Sequence, residues 1–167
     1  LEKDGFDVVF TDVLPDGVID IESFENALTD DTILVSIMHV NNETGAINPI
    51  KELSKLTKDY TDAVFHTDAV QAFGKLGIKV SDLGVDLLSF SGHKIHAPKG
   101  IGVLYKKKGI NISPLVLGGG QQEGVRPGTE SVPLIASLEG AISNLPNLSQ
   151  ATANMQELCN YAKNELA

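Results

Sequence analysis

Leu87-Leu88-Ser89-Phe90-Ser91-Gly92-His93-Lys94 is a short apolar run that turns polar and ends on a lysine. Its length and composition fit a buried strand that empties into a turn. Four more runs read the same way: Val8-Val9-Phe10, Ile33 to Val40, Ala63-Val64-Phe65 and Gly102-Val103-Leu104-Tyr105. They are continuous rather than alternating, which predicts strands covered on both faces. Helical patterns lie between them. Asp20 is placed to cap a helix bearing Ile21, Phe24 and Leu28 on one face. Asn48-Pro49 reads as a cap followed by proline at the first helical position, and Ile50, Leu53, Leu56 and Tyr60 continue that stripe. Ser131 to Ile142 reads as a third helix, and Met155, Leu158, Ala162 and Leu166 mark the stripe of a fourth. Strands alternating with helices predict an α/β class, a three-layer α/β/α domain with a mostly parallel sheet.

The 167 residues are enough for one domain with a sizeable core. Asn144 to Ser149 is the only linker-like stretch, so a boundary is expected after residue 143, with residues 144–167 forming a linker and a helix. Leu1 to Asp4 reads as a helix tail capped by Gly5, and the last helix runs to Ala167. Both features point to a piece of a longer polypeptide; a short natural domain is the alternative. A net charge of −9 argues against nucleic-acid binding through phosphates. No apolar run approaches the roughly 18 residues of a membrane span. Cys159 is the single cysteine, so no internal disulfide can form, which suits the cytoplasm.

Four polar constellations follow apolar runs, where open α/β sheets bind ligands. In Ser91-Gly92-His93-Lys94, a desolvated lysine can serve as a neutral amine and form a Schiff base, with Ser91 and His93 as phosphate donors. A solvated lysine on a polar turn is the alternative. In His66-Thr67-Asp68-Ala69-Val70-Gln71, the Asp68 carboxylate can bind a pyridinium nitrogen and Gln71 a ring hydroxyl, or Asp68 can simply cap the next helix. In Asn41-Asn42-Glu43-Thr44-Gly45, a carboxamide can meet a ring oxygen and a carboxylate, or the segment can be a plain turn. The glycines of Gly118 to Glu130 permit close approach to a ligand, with Arg126 and Thr129 available to an anion, or the run is a mobile loop. His93 and His96 lack the accompanying ligands of a known metal motif, so no metal site is expected.

The order and spacing of these segments decide more than each one alone. Val40 to Gly45, His66 to Gln71, Ser89 to Lys94, Lys99-Gly100-Ile101-Gly102-Val103-Leu104-Tyr105 and Gly118 to Glu130 closely resemble the cysteine desulfurases, which are class V aminotransferase-fold, fold-type I enzymes using pyridoxal 5'-phosphate (PLP). The resemblance covers nearly the whole chain. Gly124 to Glu130, in the form G-x-R-x-G-T-E, is similar to the branch that supplies sulfur for iron–sulfur clusters.

This resemblance implies that Lys94 bonds the cofactor and later shuttles protons. It implies that Asp68 faces the pyridine nitrogen, Gln71 the ring hydroxyl, and Ser91 and His93 the phosphate. Asn42 is implied to contact cofactor and substrate carboxylate, and Thr129 to reach the phosphate of a partner subunit in a homodimer. The implied reaction converts L-cysteine to L-alanine, with an enzyme thiolate taking the sulfur as a persulfide and passing it to an acceptor protein. On the same grounds residues 1–143 belong to the PLP-binding large domain, and 144–167 lead toward a small domain. The family's ring-stacking histidine and earlier phosphate loop would precede Leu1, and its persulfide cysteine and substrate-binding arginine would follow Ala167. Cys159 does not match the persulfide position; on an amphipathic helix it reads as a buried or half-buried small residue. The chain alone is therefore expected to be inactive. A selenocysteine lyase, another class V enzyme, or a non-catalytic sulfur-transfer scaffold are the competing readings.

Overall fold

The computed structural model describes residues 1–166. Its frame is a four-stranded sheet in the order β1 (Leu34–Met38), β2 (Val64–Asp68), β3 (Leu87–Ser91) and β4 (Gly102–Lys106). The first three strands are parallel and β4 pairs antiparallel with β3. Helix α2 (Ile50–Tyr60) connects β1 to β2, and the short α3 (Val80–Leu83) lies between β2 and β3. Helix α1 (Ile21–Ala27) precedes the sheet, while α4 (Val132–Ser143) and α5 (Leu148–Leu166) follow it. The class is the α/β class expected, with a mostly parallel sheet.

Burial alternates along the strands. Val35, Phe65, Leu88 and Phe90 lie in the hydrophobic core with Ile37, Val103 and Tyr105 packed against it. Pairing places all of these on one face of the sheet. Phe24 of α1, Ile50 and Leu53 of α2, and Leu138 of α4 complete that core. The other face carries Ser36, His66, Asp68, Ser89 and Ser91; of its apolar members Leu87 is buried, while Leu34 and Leu104 are each 48 % exposed. The continuous apolar runs thus overstate the cover: one face is packed, and the second is polar and half-open.

Local chemistry explains the start of α1. The Asp20 carboxylate accepts from the Glu22 and Ser23 backbone N–H groups at the start of α1, as anticipated. Asn48 behaves differently. Pro49 occupies the cap position of α2, and the buried Asn48 side chain instead donates to the Met38 carbonyl at 2.8 Å and accepts from Ile19 N–H at 3.0 Å. It ties the segment before α1 to the end of β1, a use that outweighs capping because both backbone groups would otherwise lack partners inside the protein.

Two further expectations are corrected. Val8-Val9-Phe10 forms no strand; Val9 and Phe10 are 66 % and 87 % exposed, and the only ladder contact nearby is the isolated Val13–Ile19 bridge. An apolar run becomes a strand only where a neighbour offers backbone partners, and none of the four strands pairs with it. Helix α5 forms, yet it buries no residue: Met155, Leu158 and Leu166 are exposed, and so is Cys159. Helical period fixes which residues share a face but not whether that face finds a neighbour.

At the edge where β2 and β3 begin, Asp86 joins three elements. Its Oδ2 accepts from Phe65 N–H at 3.1 Å, and its Oδ1 lies 3.0 Å from Lys107 Nζ and 3.4 Å from Lys58 Nζ. Its backbone bonds the same neighbours, N–H to the Phe65 carbonyl and C=O from Lys107 N–H, both at 2.9 Å. Burial works to raise the Asp86 carboxyl, but the Phe65 and Lys107 hydrogen bonds and the charges of Lys58 and Lys107 outweigh it and hold it below the ordinary carboxylate range. A depressed folded-state value means stability that is complete above the unfolded value of about 3.9 and is lost as pH falls through the folded one. Asp86→Ala orphans the buried Phe65 N–H and should cost about 1–3 kcal/mol at neutral pH. Urea denaturation of both proteins across pH is the check: the difference should be constant above about pH 5 and shrink on acidification. A difference that grows in acid contradicts the ionised role of Asp86.

Candidate functional site

Parallel pairing sends the ends of β1, β2 and β3 to one edge of the sheet. Asp68 is the last residue of β2 and pairs with Met38 on one side and Ser89 on the other. Two backbone bonds extend this alignment past the strands: His39 N–H donates to the Asp68 carbonyl, and Ala69 N–H to the Ser89 carbonyl, both at 2.8 Å. The Val40 to Gly45 turn, the Asp68 to Gln71 turn and the Ser91 to Lys94 turn therefore leave from adjacent points.

The lysine turn is built tightly. Gly92–Ile95 is a 3-10 turn directly after β3. Gly92 N–H bonds the Ile101 carbonyl, and Ala97 N–H bonds the Gly92 carbonyl. A Cβ at Gly92 would sit 2.9 Å from the Ile101 side chain, 3.1 Å from Ala97 and 3.2 Å from Leu138, so only glycine lets the turn pack this closely. Ile95 and Gly92 are buried, which leaves His93 and Lys94 projecting outward and exposed. Beneath the turn, Phe90 stacks on Phe73 with ring centroids 3.8 Å apart.

Asp68 is oriented by its own turn. Its Oδ1 accepts from Val70 N–H at 2.8 Å, and among the described residues Oδ2 takes no hydrogen bond. This is a side-chain-to-backbone turn, not the cap of a following helix. Gln71 is half-buried two residues beyond Ala69, and its carbonyl and Oε1 lie 3.3 and 3.4 Å from Lys75 Nζ. The Lys75 amine is pushed down by burial and by the charge of Lys94.

Asn42 is exposed on its turn, which Asn41 organises by accepting from Glu43 and Thr44 N–H groups at 2.9 Å. Thr129 is exposed in the Gly118 to Glu130 segment, and among the described residues no hydrogen bond links it to Asp68, Gln71, Ser91 or Lys94. That segment is irregular, with Gln122 and Glu123 at φ of 51° and 57°. Arg126 donates to the Pro127 carbonyl. The turns bearing Asp68 and Gln71, and Ser91, His93 and Lys94, thus leave adjacent strand ends, with Asn42 on the turn after β1 and Thr129 in the later irregular segment.

One part of the site escaped the sequence reading. Ser36 Oγ lies 2.8 Å from His66 Nδ1, and His66 Nε2 lies 3.1 Å from Ser89 Oγ, forming a polar ladder across three strands on the half-open face. The signal was present as polar residues two apart, His66 with Asp68 and Ser89 with Ser91, on one face of their strands. Burial pushes the His66 imidazole below its ordinary range, while the nearby Asp68 charge pulls it partly back. The hydroxyls suit a neutral ring, since each can donate or accept. Burial also pushes the His39 imidazole down, and among the described residues its buried Nδ1 has no hydrogen-bond partner. In a titration followed by NMR of the imidazole protons, His66 should change charge below about pH 6.5. Asp68→Asn should lower that midpoint further, because it removes the charge that favours protonation. A midpoint that rises or stays put would mean Asp68 is not ionised beside His66.

The model of the family described as aminotransferase class-V matches residues 1–167. A cysteine desulfurase IscS of Clostridium botulinum is 46 % identical over 160 residues, 93 % of this chain and 40 % of the relative. A cysteine desulfurase IscS of Dictyoglomus turgidum is 51 % identical over 142 residues, 85 % of this chain and 36 % of the relative. Among solved structures, a NifS-like protein superposes with a TM-score of 0.90 at 39 % identity, over 99 % of this chain and 46 % of that one. A structure described as SspA in complex with cysteine gives 0.85 at 40 % identity, over 96 % of this chain and 47 % of that one. The chain spans about two fifths of the length of these curated relatives. With its full length matched and its sheet edge built as described, the chain belongs to the class-V aminotransferase family.

Proposed function

We propose that these residues form the cofactor-binding part of a PLP-dependent cysteine desulfurase. One observation carries the reading: the register that sets Asp68 opposite Ser89, so that a carboxylate and the Lys94 turn leave adjacent parallel strands at the same edge. Relatives described as cysteine desulfurases, and a similar structure described as bound to cysteine, support the choice of L-cysteine as substrate.

The donor set fits the cofactor. Asp68 offers a carboxylate oxygen that no described residue engages, as a ring-nitrogen partner must. Lys94 is an exposed amine on a turn too tightly packed to shift. Ser91 and His93 flank it as hydroxyl and imidazole for a phosphate, and Gln71 and Asn42 supply carboxamides for the ring oxygen. When bound, PLP supplies an electron sink that lowers the barrier to removing a proton from the substrate's α-carbon. Lys94 Nζ attaches the cofactor and carries protons. The Asp68 carboxylate keeps a proton on the ring nitrogen by opposite charge. Asn42, on the first turn, orients the substrate carboxylate. An enzyme thiolate would take the sulfur as a persulfide, the S–S bond forming as the C–S bond breaks and its electron pair, with a proton, stays on the carbon of L-alanine; the persulfide would pass the sulfur to an acceptor protein, in the service of iron–sulfur cluster or thio-cofactor assembly in the cytoplasm. Exposed Cys159 sits on α5 and is not assigned that role.

The holoprotein should be yellow, and Lys94→Ala should abolish the absorption band of the lysine–cofactor bond. An unchanged visible spectrum in the variant would move the attachment to another lysine.

The protein is further proposed to act as a homodimer in which Thr129 binds the partner subunit's cofactor phosphate. Its exposure is what such a role requires. Mixing Lys94→Ala subunits with Thr129→Ala subunits should restore activity by creating one intact site per heterodimer. Heterodimers that form without recovering activity would count against the shared site.

A further inference from the structure

Lys75 has no place in the assignments above, yet its position is over-determined. Its N–H donates to the Ala72 carbonyl at 3.0 Å, and its carbonyl accepts from Thr152 Oγ1 of α5 at 3.0 Å. The preceding Gly74 holds a φ of +77°, and a Cβ there would lie 2.6 Å from Ile95 Cγ2 and 3.1 Å from Leu145 Cδ2. Ile95 follows Lys94 directly, so the Phe73–Lys75 turn and the Gly92–Ile95 turn press against each other, with Phe73 stacked on Phe90 behind them. The root of the Lys75 side chain is thus fixed from three sides.

From that root the half-buried side chain turns toward Gln71 rather than toward a carboxylate. Nζ lies 3.3 Å from the Gln71 carbonyl and 3.4 Å from Gln71 Oε1. An ammonium has three donors and no acceptor, so only the oxygen end of the carboxamide can face it. The nitrogen end is then turned away from Lys75. The contact of Gly74 with Ile95 sets this beside the lysine turn, where burial and the Lys94 charge both push the Lys75 amine down.

We propose that Lys75 is a positioning residue of the cofactor site: by holding Gln71 Oε1, it fixes the carboxamide so that Gln71 offers an N–H donor to the ring oxygen of the cofactor. An unanchored glutamine could present either end, and only the donor end matches an anionic ring oxygen. The inference rests on the PLP assignment above, and its test separates the two.

The measurement is PLP affinity of the cofactor-stripped full-length protein, followed by absorbance, in a double-mutant cycle of Lys75→Met and Gln71→Ala. Lys75→Met should weaken binding about three- to tenfold, the size of one net hydrogen bond. Lys75→Arg, which keeps a charged donor, should recover most of that loss. In the Gln71→Ala background, Lys75→Met should change affinity by less than about twofold, because its effect passes through Gln71. Should Lys75→Met not fold by circular dichroism, Lys75→Gln takes its place in the cycle, since a glutamine can face either end of its neighbour. Unchanged affinity in the single variant, or fully additive losses in the double variant, overturns the proposal. Asp68→Ala and Lys94→Ala are run alongside. If neither weakens PLP binding, the cofactor assignment itself fails; if both do while Lys75→Met does not, only the role of Lys75 fails.

Discussion

Parallel alignment of β1, β2 and β3 is the constraint on which the site depends. Parallel strands all finish at one edge, and β1 and β2 are each followed by a crossover rather than a hairpin. The residues that leave each strand therefore meet, although they lie more than twenty positions apart in the chain. Register sharpens the effect. Asp68 opposite Ser89 sets the carboxylate beside β3, and a one-residue slip would turn Asp68 toward the packed core. The Ala69-to-Ser89 and His39-to-Asp68 backbone bonds hold that register at the point where the ladder ends.

The two edges of the sheet are stabilised by different means. Where β2 and β3 begin, Asp86 gathers a backbone N–H and two lysines into a closed set of partners. Both carboxylate oxygens are engaged there, so the cluster serves stability. Where the strands end, polar groups keep unused capacity: Asp68 Oδ2, the outward His93 and Lys94, and the hydroxyls around His66. Polar groups left with spare valence at a strand end are what a ligand requires. The contrast between a satisfied edge and an unsatisfied one separates scaffold from site more sharply than residue type does.

The lysine turn shows how packing aims a reactive side chain. Gly92 is confined by Ile101, Ala97 and Leu138, and Ile95 presses on Gly74. With both apolar positions of the turn locked inward, its polar positions have one direction left. Leu138 comes from α4, so a helix that contributes no site residue still fixes where Lys94 starts.

The sequence by itself determined the four strands, the Asp20-capped helix, the α/β class and the identity of the polar residues beyond each strand. These follow from local period, turn chemistry and spacing, which are properties of neighbours along the chain. It misread Val8-Val9-Phe10, the cap at Asn48 and the burial of Cys159, because a run's hydrophobicity does not say whether a partner strand or a covering helix is present. It also passed over the Ser36–His66–Ser89 ladder and the hold of Lys75 on Gln71. Only the tertiary structure decided these, since cross-strand register and the pressing of Gly74 on Ile95 bring together groups whose separation in sequence carries no sign of their contact.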